Sequence, residues 1–296
     1  MSAAGAPAHD QTKLVEQLEA IIARKIANDQ LVIPALPSVA ARCIALLKNP
    51  DFSTREVSSI LESDPVLAAK MLKVANSAAF GGRNSVTSIS QAVTRLGAIH
   101  LKNLIVEASA RKLFESTDRR IAEANSKLWT HSVAVAVVAR DLTAITGGGE
   151  PDTAYLAGLL HDVGKPIVAT ILLDVERAMQ DMRKRAVWLN DAEWIEVIQR
   201  THRKVAVPLG LRWELPDAVL RTVRDCEEYD NADRVSASNI VRFANALVKQ
   251  EGIYVGNVNK DDNDALVMIG MSLLGLDEAA VKRGTVGLAA VRKQTP

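Results

Sequence analysis

From Asn125 to Ile145 the sequence is almost continuously apolar, and the run Val133-Ala134-Val135-Ala136-Val137-Val138-Ala139 leaves hardly any polar face. A surface helix carries an apolar stripe on one side only, so a helix that is apolar nearly all round has to be enclosed by other elements. Gly147-Gly148-Gly149 ends it. Composition says what does the enclosing. The chain is 48% hydrophobic but only 4% aromatic. Ala, Val, Leu and Ile therefore supply the core, which suits close helix packing better than sheets built on aromatic and β-branched pairs. We expect an all-α fold, and 296 residues can bury one large core or two modest ones.

The rest of the chain divides into helical stretches with recognisable ends. Thr12 to Asn28 is amphipathic through Leu14, Val15, Leu18, Ile21, Ile22 and Ile26; Pro34 and Pro37 follow, and Ser38 to Lys48 resumes the helical period. Ser53 with Glu56, and Ser88 with Gln91, have the spacing of a capping box. Asp64-Pro65 places a capping acid before a proline that needs no amide hydrogen at the first helical position. Asn76 to Asn84, with Gly81-Gly82, reads as a loop, and Gly97 as the end of the helix that begins after Ser88. Beyond the apolar run, helices are expected over Tyr155 to His161, Asp174 to Arg185, Glu193 to Val207, Pro216 to Glu228, Ser236 to Gln250 and Asp264 to Leu274. Gly252 to Asn263 is expected to be a polar loop. No strand is predicted.

Thirty-six basic residues against 35 acidic leave a net charge of +1, so no global field draws the chain to nucleic acid or to anionic lipid. Cys43 and Cys226 stand alone and far apart, which supports neither a disulfide framework nor a zinc knuckle. The first residues lack a secretory pattern, and no stretch of about 18 uncharged apolar residues predicts a spanning helix, so the cytoplasm is the expected address.

The chemistry-bearing residues are few. His161 and Asp162 are adjacent in Leu159-Leu160-His161-Asp162-Val163-Gly164-Lys165, and an imidazole next to a carboxylate can hold a divalent metal. Of five histidines, His9 sits near the start and His100 follows Gly97 in the front half. That leaves His131 and His202 as partners. The competing reading is structural: Asp162 caps the next helix, and the histidines satisfy one another and the backbone in a buried network. Arg183-Lys184-Arg185 is read as a solvated helix face.

Several motifs in order resemble a known family. Leu36-Pro37-Ser38-Val39-Ala40, Glu62-Ser63-Asp64-Pro65-Val66-Leu67, Ala75-Asn76-Ser77-Ala78-Ala79-Phe80-Gly81 and Ile89-Ser90-Gln91-Ala92-Val93-Thr94-Arg95-Leu96-Gly97 are similar to the HDOD domain, the HD-related output domain of bacterial signalling proteins. Leu156 to Lys165 looks like the core of the HD superfamily of metal-dependent phosphohydrolases. The resemblance implies a helical front lobe (about 31–120) packed on a five-helix HD-like bundle (about 121–250). A following helix completes a domain over 31–275, with an N-terminal extension over 1–30 and a tail over 276–296.

It also implies a ligand set: His131, His161 and Asp162, with a distal acid whose place is taken by Asn245. An uncharged amide binds a transition metal more weakly than a carboxylate does. His202 fits one further histidine of two-metal relatives, while their next histidine pair is replaced by Asp225-Cys226, leaving Asp225 as a substitute ligand. Lys165 takes the position of a phosphate-binding lysine. The expectation is a non-catalytic regulatory module acting through contacts with a signalling protein, such as a component of a cyclic-dinucleotide pathway, or with a second copy of itself. No cofactor is expected. The alternatives are a residual phosphohydrolase with one weakly bound divalent metal, and a nucleotide sensor that does not hydrolyse its ligand.

Overall fold

A computed structural model describes residues 8–28, 33–80, 84–181 and 189–293, and the described residues contain helices and no strand. Gly81-Gly82 and Arg183-Lys184-Arg185 lie outside them. The chain forms two compact units, Ala35–Lys112 and a larger one from Met1–Pro34 with Leu113–Pro296.

In chain order the first helix, α1 (Ala8–Ala27), belongs to the larger unit. The smaller unit then holds α2 (Ser38–Leu46), α3 (Thr54–Glu62), α4 (Pro65–Ala75) and α5 (Ile89–Arg111). Their starts follow the expected chemistry. Asp64 Oδ1 accepts from the amides of Val66 and Leu67 at 3.1 and 3.0 Å, and Ser88 with Gln91 completes a capping box. Cys43, Val57, Leu61, Met71 and Ala92 are fully enclosed between these helices.

Gly97 behaves differently from the expected stop. It adopts φ 72° and ψ 171°, a conformation that suits glycine, and the helical path resumes through Arg111. Leu101, Ile105 and Val106 beyond it are buried, so the chain bends at the glycine and goes on burying an apolar face. His100 stays local, with Nδ1 3.2 Å from the Leu96 carbonyl and its ring edge-on to Phe80 at 4.7 Å.

The larger unit continues with α6 (Arg119–Thr146), α7 (Pro151–Leu160), α8 (Gly164–Asp181), α9 (Asp191–Arg212), α10 (Asp217–Asp225), α11 (Ala237–Gln250), α12 (Lys260–Leu274), α13 (Glu278–Gly284) and α14 (Leu288–Lys293). The apolar run lies in α6, where Val135, Ala136, Val138 and Ala139 are 0% exposed. Helices α7, α11, α13 and α14 pack around it. Gly147 ends α6 in the left-handed conformation.

The first and the last described helices both belong to this unit. Helix α1 lies on α9 through Val15, Leu18 and Ile22, while the last two helices pack against α6. Two stretches, Arg119–Thr146 and Pro151–Met179, are long and apolar enough to cross a membrane by length and composition, because the charges within them are sparse. Neither contains 18 consecutive uncharged apolar residues, as expected from the sequence. Their most apolar windows are 61% and 83% buried in the fold, which accounts for their composition by packing.

Candidate metal centre

Three elements carry His131, His161-Asp162 and His202 to one place. His131 is on α6, the His161-Asp162 pair forms the tight turn from α7 into α8, and His202 is on α9. The approach of α9 to the turn depends on Gly164. A Cβ there would lie 1.8 Å from the His202 carbonyl oxygen, so no larger residue fits without moving one of the two helices.

All four residues are buried, each 3% exposed or less. Each imidazole is oriented by its Nδ1: His131 toward the Ile253 carbonyl at 2.7 Å, His161 toward that of Gly158 at 2.7 Å, and His202 toward that of Gln199 at 2.9 Å. A carbonyl only accepts, so Nδ1 bears the hydrogen and Nε2 is turned to the centre. There the Nε2 atoms meet the Asp162 carboxylate at 3.9, 3.3 and 3.5 Å for His131, His161 and His202.

The electrostatics follow from burial. It drives the His131 imidazole down to about 3, assisted by neighbouring His161, and the His202 imidazole down to about 4, so both are neutral at pH 7. For Asp162 burial works the other way, but the opposing pull of the neighbouring His161 and Lys165 outweighs it and holds the acid well below the usual carboxylate range. Lys165 Nζ is 2.7 Å from Asp162 Oδ2.

The neutral imidazoles of His131 and His202 turn Nε2 lone pairs toward a carboxylate, a repulsion that a cation between them would relieve. His161 Nε2 and His202 Nε2 are buried without a hydrogen-bond partner, which is the cost such an arrangement carries by itself. A tetrahedral ion with bonds near 2.1 Å would separate its ligand atoms by about 3.4 Å, close to the distances above. Nδ1–H donation to a backbone carbonyl is also how metal-binding histidines are commonly fixed. The donor set fits one divalent cation on His131, His161 and Asp162, with His202 beside it. Such an ion would supply Lewis acidity and lower the pKa of a bound water.

Other candidates fall elsewhere. Asp225 accepts from Arg224 at 2.6 and 2.8 Å and its side chain is 47% exposed, so it is held at the surface by its neighbour. Asn245 on α11 lines a separate cavity with Arg203, Cys226 and Arg242. Cys43 and Cys226 are free and buried. Lys249, one helical turn after Asn245, was missed in the sequence and lines the same cleft as His131, Asp162 and Lys165. The i,i+4 spacing from Asn245 was the available signal. Burial lowers its pKa, as does the neighbouring Lys165.

That cleft has a volume of about 540 Å³ and lies within the larger unit. Its floor holds the charged groups just named, and Leu128, Trp194, Ile198 and Tyr254 contribute apolar wall.

The comparisons agree with this architecture. Residues 33–229 match the HDOD domain. A protein from Shewanella amazonensis SB2B, provisionally named a metal-dependent phosphohydrolase, is 26% identical in sequence, with a TM-score of 0.70 over 94% of this chain and 98% of its own. An HDOD domain protein of unknown function from Geobacter sulfurreducens shares the fold at 22% identity and a TM-score of 0.62, over 95% of this chain and 98% of its own. An uncharacterized protein from Treponema pallidum (strain Nichols) is 29% identical over 234 residues, and the match spans 77% of this chain but only 44% of that relative. A family match over 33–229, on a helical fold whose His-Asp turn and front-half motifs stand in the expected order, means that this chain belongs to the HDOD domain family.

Proposed function

We propose that the chain is a regulatory module of bacterial signal transduction in which the His-Asp centre binds and does not hydrolyse. The observation that carries this reading is the charge at the centre. Asp162 is the one carboxylate facing the imidazoles among the described residues, and Lys165 is already paired with it. A divalent ion bound there would keep a net positive charge, and the Lys165 ammonium on the same carboxylate would weaken its hold. Asn245 supplies no charge and opens onto another cavity, and Asp225 is held at the surface by Arg224. A structure from Marinobacter aquaeolei VT8 with the same fold, 23% identical at a TM-score of 0.60, is provisionally named a signal transduction protein. On this reading, output passes through contacts with a signalling protein or a second copy of the chain.

A second reading is favoured by the convergent Nε2 atoms: a one-metal phosphohydrolase, as the Shewanella protein is provisionally named. Metal analysis and phosphodiesterase assay of the same preparation separate the two. The proposed function predicts that manganese, iron or zinc added to cation-free protein binds at no more than one equivalent, with no turnover of bis(p-nitrophenyl) phosphate. Turnover that depends on the metal and disappears in His161→Ala, while the fold is retained, would replace the first reading by the second.

A further inference from the structure

We propose that the cavity shared by Arg203, Arg242, Lys249 and Asn245 is an anion site for the phosphate group of a small molecule. It encloses about 390 Å³ and is distinct from the His-Asp cleft, with which it has Lys249 in common.

Three cationic side chains from two helices meet there. Arg203 extends from α9, while Arg242 and Lys249 lie two helical turns apart on α11. All three are half-buried, with parts of their side chains withdrawn from water. Arg203 bonds one acid, Glu227, at 2.7 Å, and that acid is 69% exposed at the mouth. Arg242 stands over the Tyr229 ring at 5.0 Å, a contact that fixes the guanidinium without neutralising it. No carboxylate pairs with Arg242 or Lys249 among the described residues.

Unspent hydrogen-bonding capacity marks the same place. Arg203 Nε, Arg242 Nε and the Asn245 side-chain oxygen are buried without partners, so three of the seven such atoms among the described residues belong to residues of this one cavity. The Asn245 amide presents either a donor or an acceptor by rotation, because its oxygen and nitrogen are interchangeable in shape. Two guanidinium forks, an ammonium and an amide match the several oxygens and double charge of a phosphate group better than a single carboxylate, which one arginine already satisfies. Glu227 and Glu228 are exposed at the rim and leave the interior positive.

The test is calorimetric titration of the full, cation-free chain with inorganic phosphate and with glycerol 3-phosphate, against chloride at equal ionic strength. Saturable binding at one equivalent is expected. A preference for glycerol 3-phosphate would identify an organic phosphate as the natural occupant, and equal binding would identify free phosphate. Arg242→Gln and Arg203→Gln should each weaken binding on the order of tenfold, the usual size of a lost charge-assisted hydrogen bond, and Arg242→Lys should fall between. Circular dichroism checks the fold, and the Lys variant keeps the site testable if a Gln variant unfolds. Absence of binding to either probe overturns the proposal. So does binding that survives both arginine substitutions but is lost in Lys165→Gln, because the phosphate would then occupy the His-Asp cleft.

Discussion

Two imidazoles kept neutral beside one carboxylate make the centre sensitive to acid. Burial brings His131 to about 3 and His202 to about 4, whereas in the unfolded chain both titrate near 6.5. Between about pH 4 and 6.5 the unfolded state therefore takes up protons that the folded state refuses, and stability rises with pH across that window. Asp162 works in the same sense lower down: its contribution is complete above its unfolded value near 4 and is lost as the pH falls toward its depressed folded value. Cation-free protein should show a flat unfolding midpoint above pH 7. On acidification the slope should approach two protons, or about 3 kcal/mol per pH unit. His202→Asn should remove about half of it in urea titrations from pH 4.5 to 8, and an unchanged slope would mean that His202 is not held neutral. The sequence made His131, His161, Asp162 and His202 visible, because each is a rare residue type inside a motif or apolar context. It did not make Lys249, Arg203 or Arg242 visible, because basic residues are abundant and only the packing of α9 on its neighbours decides which of them are enclosed.

At the scale of the element, the turn from α7 to α8 is the part on which the centre depends. It passes so close to α9 that the position of Gly164 has no room for a methyl group against the His202 carbonyl. The obstructing atom is backbone, which cannot rotate aside, so Gly164→Ala must push α9 away from the turn. We expect a loss of about 3 kcal/mol, the upper range for overpacking, together with weaker metal binding because His202 withdraws from Asp162. Metal titration combined with urea denaturation checks both, and a variant of normal stability with unchanged metal affinity would show that α9 is not held by this contact. Helix ends were largely legible for a local reason. Asp64, Ser88 and Gln91 act on amides two to four residues away, so spacing alone reveals them. Gly97 was less legible, since the signal that ends a helix is the same one that bends it, and the choice is made by Leu101, Ile105 and Val106 finding a core beyond the bend.

For the whole molecule, the division into two compact units has an optical consequence. Trp129, Trp194 and Trp213 fall in the larger unit, and residues 35–112 contain no tryptophan. Tryptophan fluorescence therefore reports the larger unit, while far-ultraviolet circular dichroism reports the helices of both. Met71 is fully enclosed by the helices of the smaller unit, and Met71→Ala removes most of a buried side chain at a cost of about 3 kcal/mol. Each unit has its own apolar core, so that cost should fall on the smaller unit alone. In urea, the variant should show an early dichroism transition that fluorescence does not follow, with the fluorescence midpoint and the metal stoichiometry of the His-Asp centre as in the wild type. Movement of both midpoints together would mean that the units unfold as one cooperative body, and metal affinity measured in Met71→Ala would then report the stability of both units.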